Sequence, residues 1–128
     1  MNVVDENIIA PERERLRAWR VHFRHIGGDI GRLGMKDREE IVPLLHTLRQ
    51  PTFFTRDHGF YRLALLHRGY CLVYLDVEVN ETATYIRRFL RHPEFRTQSQ
   101  RMGKVVRVRH SGTSYWQVHQ RGEHALSW

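Results

Sequence analysis

The feature that most constrains this chain is a set of short apolar runs that each stop at an aspartate. Asn2-Val3-Val4 gives way to Asp5, Thr52-Phe53-Phe54-Thr55 to Arg56-Asp57, and Tyr70-Cys71-Leu72-Val73-Tyr74-Leu75 to Asp76. Short β-branched and aromatic runs bounded by turn residues predict strands. The last run is almost uninterrupted, as expected of a strand covered on both faces in a parallel sheet.

Helical spacing fills the gaps between these runs. Pro11 suits a first helical turn, with Glu12 and Glu14 near its positive end and Leu16, Trp19 and Phe23 at i, i+3 and i+7 as a buried face. His25-Ile26 predicts a short second strand. Asp37-Arg38-Glu39-Glu40 has the form of a capping box opening a second helix, with Ile41, Leu44, Leu45 and Leu48 inward and Pro43 bending its start. Phe60, Leu63, Ala64 and His67 predict a third helix ended by Gly69. Asn80 caps a fourth, with Ala83, Ile86 and Leu90 on one face, and Pro93 ends it. Lys104 to Arg109 and Ser114 to Val118 predict a hairpin turning at Ser111-Gly112.

This alternation predicts an α/β fold, a mainly parallel sheet flanked by helices with a C-terminal β-hairpin. A chain of 128 residues has room for one domain: an α/β core over 1–92 and an extension carrying the hairpin over 93–128. The glycine-rich stretch 27–34 lacks the Gly-Lys-Ser/Thr ending of a phosphate-binding loop and is taken as a connection.

Composition narrows the setting. No apolar run approaches the roughly 18 residues of a membrane span. The opening MNVVDENIIAPERER has acids where a secretory signal needs a basic start and an apolar stretch. Cys71 is the only cysteine, which excludes an internal disulfide and a cysteine-rich metal site. A cytoplasmic protein is the expectation. The net charge is +7, and Lys36 and Lys104 are the only lysines among 21 basic residues. Arginine's planar fork pairs with phosphate and stacks on bases, so an acidic polymer such as RNA is a natural partner. The excess concentrates in residues 65–128, with 10 bases against 5 acids. Arg107 and Arg109 alternate with Val106 and Val108 and share one strand face, and Arg87, Arg88 and Arg91 cluster on the fourth helix.

In open α/β sheets the working site lies beyond the carboxyl ends of the strands. If the three strands are neighbours, Asp5, Asp57 and Asp76 converge there. Gathered carboxylates repel one another unless a cation is present, and oxygen-only ligands suit Mg²⁺ or Mn²⁺. Such an ion activates water for attack on a phosphodiester. Strand-end aspartates also commonly cap the next turn, and that alternative stands beside the first. The nine histidines, His22 and His25 included, have no partners at zinc spacing, and no serine sits in a Gly-x-Ser-x-Gly elbow.

Three segments resemble small PIN-like domains, the metal-dependent ribonucleases found in toxin–antitoxin pairs. Val4-Asp5-Glu6-Asn7-Ile8 looks like their opening strand, Lys36-Asp37-Arg38-Glu39-Glu40-Ile41 like their Asp-Glu-Glu-Ile helix start, and Phe54-Thr55-Arg56-Asp57-His58-Gly59-Phe60 like their Thr-Arg-Asp-x-Asp-Phe motif. The likeness covers roughly residues 2–77. It implies Asp5, Asp37 and Asp57 as catalytic and metal-binding acids, with Glu6, Glu40 and Thr55 in support. Gly59 stands where the family often has a second Asp, and Asp76 is the candidate fourth metal ligand that would compensate. Arg56, Arg88, Arg107 and Arg109 are the candidate RNA contacts. An antitoxin protein and a homodimer are further partners the resemblance implies. The expected function is therefore a Mg²⁺- or Mn²⁺-dependent endoribonuclease. The alternative is a non-catalytic PIN-like module that binds nucleic acid or a protein partner.

Overall fold

A computed structural model describes every residue except Lys36, and the backbone alone of Asp37 and Arg38. Seven strands form one sheet: β1 (Asn2–Val4), β2 (Arg24–His25), β3 (Thr52–Thr55), β4 (Cys71–Leu75), β5 (Lys104–Arg109), β6 (Gly112–Gln117) and β7 (His124–Ser127). Their order is β2-β1-β3-β4-β5-β6-β7. The first five are parallel, and β6 and β7 each run antiparallel to the strand before. The hairpin is therefore the antiparallel half of the same sheet, since β5 pairs with β4 along its length.

Alternation along the strands divides the core in two. Val4, Phe54, Val73, Val106 and Val108 face α1 (Ala10–Ala18) and α3 (Thr82–Arg91), meeting Leu16, Ala83, Ile86 and Phe89. Val3, Phe53, Leu72 and Val105 face the other way, toward Ile41, Leu45, Phe60 and Tyr70. Leu45 comes from α2 (Val42–His46), and a short α4 (Gln98–Arg101) precedes β5. Both faces of the parallel strands are covered, which accounts for the uninterrupted apolar run of β4.

Several elements depart from the expectations. α1 stops at Ala18, so Trp19 caps it and Phe23 lies in the chain returning to β2. The end is a Schellman turn: Arg20 takes a positive φ of 60°, its N–H reaches the Arg17 carbonyl, and the Val21 N–H reaches that of Leu16. Glu12 serves two helices, pairing with Arg15 of α1 at 3.3 Å through one carboxylate oxygen. It is buried, and its carboxylate accepts from the Ala83 N–H at 3.1 Å, capping α3. The second helix opens as a wide π-turn (Asp37–Ile41), which lets Pro43 sit in the first turn of α2, where its missing N–H costs no bond. α2 ends at His46, so Leu48 lies beyond it.

The helix expected over Phe60 to His67 does not form. His58–Phe60 and Leu63–Leu65 are separate 3₁₀ turns, with Arg62 extended between them. Phe60, Leu65 and Leu66 pack on the sheet while Leu63 is 58% exposed, a spacing that a continuous helix could not produce. Asn80 caps nothing; the capping box is made by Glu78 and Glu81 around a 3₁₀ turn (Val79–Glu81) leading into α3. α3 ends before Pro93 as expected. The hairpin turns at His110-Ser111, and β6 begins at Gly112, where a Cβ would meet the Leu126 carbonyl oxygen at 2.2 Å. β7 and α4 were not anticipated.

Candidate active site

The order β2-β1-β3 places the reversal of the sheet between β1 and β3. The chain passes from β1 to one side, then back across β1 to the other. Crevices at such switch points, outside the carboxyl ends of the strands, are where α/β sheets hold ligands. Asp5 leaves β1 at this point, with its N–H on the Phe54 carbonyl at 3.0 Å, beside Thr55 at the end of β3.

Thr55 is the hub of the site. Its hydroxyl donates to Asp5 Oδ2 at 2.7 Å. Its oxygen accepts from Asn7 Nδ2 at 3.2 Å and from the Asp57 N–H at 3.0 Å. Asn7 Oδ1 in turn accepts from the Arg56 N–H at 3.2 Å, which fixes which end of the amide faces Thr55. With both lone pairs of the Thr55 oxygen taken, its proton goes to Asp5, so Asp5 Oδ2 must act as an acceptor.

Asp5 is 8% exposed. Burial pushes its carboxyl above the ordinary value of 3.8, against the downward pull of Thr55 and the Glu6 N–H, and the nearby charges of Glu6 and Asp57 push the same way as burial. Asp57 is half-buried, and its Oδ1 accepts from the Gly59 N–H at 2.8 Å, starting the 3₁₀ turn at His58. It is thus a turn cap and a member of the acidic pair at once. The Glu6 carboxylate accepts from the Gly34 N–H at 2.7 Å, tying the glycine-rich loop to the rim.

The other candidates divide. The side chain of Asp37 lies outside the described residues. Glu40 pairs with Arg32. Asp76, at the end of β4, takes both Nε and Nη2 of Arg107 on Oδ2, at 3.1 and 2.6 Å. That pairing holds Arg107 above its ordinary value, with the Asp76 hydrogen bond the largest cause. Arg56, Asp76, Arg109 and His110 line an open cleft of about 550 Å³ beside the acidic pair. Arg88 is elsewhere: it lies over the Tyr85 and Trp128 rings, on the α3 side of the sheet. Among the described residues no three His, Cys, Asp or Glu side chains are gathered tightly enough to cage a metal ion.

Asn7 was missed from the sequence; its only signal was its place two residues past a strand-ending aspartate. Tyr61 was missed as well. It stacks on Trp116 at 4.4 Å, and its hydroxyl sits between Ser114 and Glu123; burial first, and then the bond to Glu123, raise it above the ordinary tyrosine value against the downward pull of Ser114. Tyr115 packs the core against Phe95. Among the described residues no helix is long and apolar enough to cross a membrane. Compared with known proteins, the chain matches no family model, no curated protein and no solved structure.

Proposed function

We propose that the protein is a Mg²⁺- or Mn²⁺-dependent ribonuclease whose site is the junction of β1 and β3. The observation that carries this reading is the buried Asp5 carboxylate, required by Thr55 to act as an acceptor and sharing its crevice with Asp57. The donor set fits a hard cation: both groups are carboxylates, and each is oriented by a hydrogen bond from a neighbouring residue. Mg²⁺ commonly binds through one or two protein carboxylates, with waters and substrate phosphate completing its shell, so a caged site is not required. Asp5 and Asp57 would hold the ion, with Asp37 as the third acid the PIN-like resemblance implies. When bound, such an ion supplies an activated water and charge stabilisation on the phosphodiester.

The chain's own residues do the rest. Thr55 and Asn7 lock Asp5 and the Arg56 backbone in place, so the carboxylate is oriented before substrate arrives. Arg56 and Arg109 line the adjoining cleft and offer guanidinium forks to an RNA backbone. Arg107 is already neutralised by Asp76, and positions the cleft wall more than it adds charge.

The test is cleavage of a labelled single-stranded RNA with Mn²⁺ or Mg²⁺, beside EDTA, Asp5→Asn and Asp57→Asn. Metal-dependent cutting that falls about 100-fold or more in each variant is expected. Full activity in both folded variants overturns the reading. The Asp76–Arg107 pair favours one second reading, because it withdraws the fourth acid: a module that binds RNA without cutting it. That reading expects salt-sensitive binding and no cleavage with either metal.

A further inference from the structure

Arg101 is the most buried arginine whose charge nothing answers. It is 6% exposed, its Nε donates to Thr52 Oγ1 at 3.0 Å, and its Nη1 donates to the Phe95 carbonyl at 2.8 Å. Both partners are neutral. Among the described residues no carboxylate lies within ion-pair distance of it, and its Nη2 has no hydrogen-bond partner. The one titratable group felt from the core is Cys71, whose burial pushes its thiol up to about 12, so it stays neutral at physiological pH. A buried ion left without a counter-charge is destabilising, and native structures answer such charges with a partner.

The partner's place is visible. Arg101 forms part of the wall of an open cleft of about 460 Å³, shared with Met1, Asn2, His22, Phe23, Arg24 and Gln98. The polar side chains on this wall are two guanidinium forks, an imidazole and two amides; it carries no acid. Arg24 is exposed and belongs to β2, whereas Arg101 ends α4, so two separate elements bring their cations to one opening. Phe23 gives the cleft one apolar wall. The cleft sits at the start of β1, where Asn2 lies, and Asp5 follows the other end of that strand. It is therefore separate from the acidic crevice and stands independently of the nuclease reading.

We propose that this cleft is an oxyanion-binding site that takes a phosphate group, with Arg101 as its buried anchor and Arg24 and His22 as its outer donors. Planar guanidinium forks match a tetrahedral oxyanion two bonds at a time, which a scattered lysine surface would not. Seating such a group supplies the counter-charge that the fold omits at Arg101. The volume leaves room for a substituent on the phosphate, against Phe23. The phosphate could belong to a free ion or to the 5′ end of a nucleic acid, and the two are separable by experiment.

The measurement is thermal unfolding of the full chain with inorganic phosphate, against chloride at equal ionic strength. It is run on wild type, Arg24→Ala, Arg101→Gln and the control Arg121→Ala, an exposed arginine outside both clefts. A saturable rise in melting temperature is expected in wild type and Arg121→Ala, weakened about tenfold in apparent affinity in Arg24→Ala, where an exposed side chain leaves the fold intact. Arg101→Gln, if it folds, loses the rise altogether. A parallel titration compares short oligonucleotides with and without a 5′-phosphate. Competition by the phosphorylated one alone supports a nucleic-acid end as the source, and competition by neither supports a free oxyanion. No phosphate effect beyond chloride overturns the proposal. So does an undiminished effect in Arg24→Ala, or a loss confined to Arg121→Ala.

Discussion

Thr55 carries more of the site than its size suggests. It spends its hydroxyl proton and both lone pairs on three neighbours, so no other residue type of that shape can replace it. Thr55→Val keeps the volume and strands Asp5 Oδ2 without a donor. It should lower stability by about 1–3 kcal/mol in denaturant unfolding, while Thr55→Ser should recover most of the loss. Asp5 itself has a signed pH dependence. Its folded carboxyl lies above the ordinary 3.8, so its contribution to stability is fully present below that value and is lost as pH rises through the raised one. The stability advantage of wild type over Asp5→Asn should therefore shrink with rising pH. Paired unfolding curves from about pH 3 to about pH 8 check this, and a difference that does not change with pH would show Asp5 to be unperturbed. Mg²⁺ at neutral pH should restore the lost stability in wild type and leave Asp5→Asn where it is.

At the scale of elements, two helix ends were settled by contacts that no local pattern announces. Arg20 occupies the left-handed position that glycine usually fills after a helix, so the periodicity of Leu16, Trp19 and Phe23 ran on without a visible stop. Arg20→Gly should stabilise the protein by about 1 kcal/mol, since the strain of a side chain at φ 60° is removed. A fall in melting temperature would mean that the arginine side chain has a task of its own. Glu12 supplies the other case. It is a first-turn acid of α1 paired with Arg15, and its other carboxylate oxygen crosses to α3 and satisfies the Ala83 N–H from a buried position. Glu12→Ala should cost about 1–2 kcal/mol, as loss of a cap does. Glu14→Ala, which removes only an exposed pair with Arg17, should stay within about 0.5 kcal/mol of wild type.

Over the whole molecule, the positive charge is sorted by the sheet. Arg56 and Arg109 open on the cleft beside the acidic pair, Arg107 is consumed by Asp76, Arg88 lies over rings on the α3 side, and Arg101 is sunk at the opposite end. If RNA binds across the cleft, each free phosphate contact contributes about 0.7 to the slope of log affinity against log salt for a single strand. Arg56→Ala and Arg109→Ala should each lower that slope by about 0.7, Arg107→Ala by less, and Arg88→Ala not at all. Equal losses for all four would mean that the net charge of +7 alone attracts the RNA, with no defined track.

Much of the architecture was legible in the chain. β3 and β4 announce themselves by short-range patterning, because a strand buried on both faces needs consecutive apolar side chains whatever its neighbours are. The aspartates that end β1 and β4, and Asp57 two residues past β3, followed with the strands, and so did the α/β alternation. What the chain alone could not settle was adjacency. Only the folded sheet puts Asp5 against Thr55, and gives Asp76 to Arg107, 31 residues away, instead of to the acidic pair. The stop of α1, the breaking of the third helix into two 3₁₀ turns and the burial of Arg101 are of the same kind. Each depends on which surfaces the crossovers bring together, a long-range outcome of packing that no window of neighbouring residues contains.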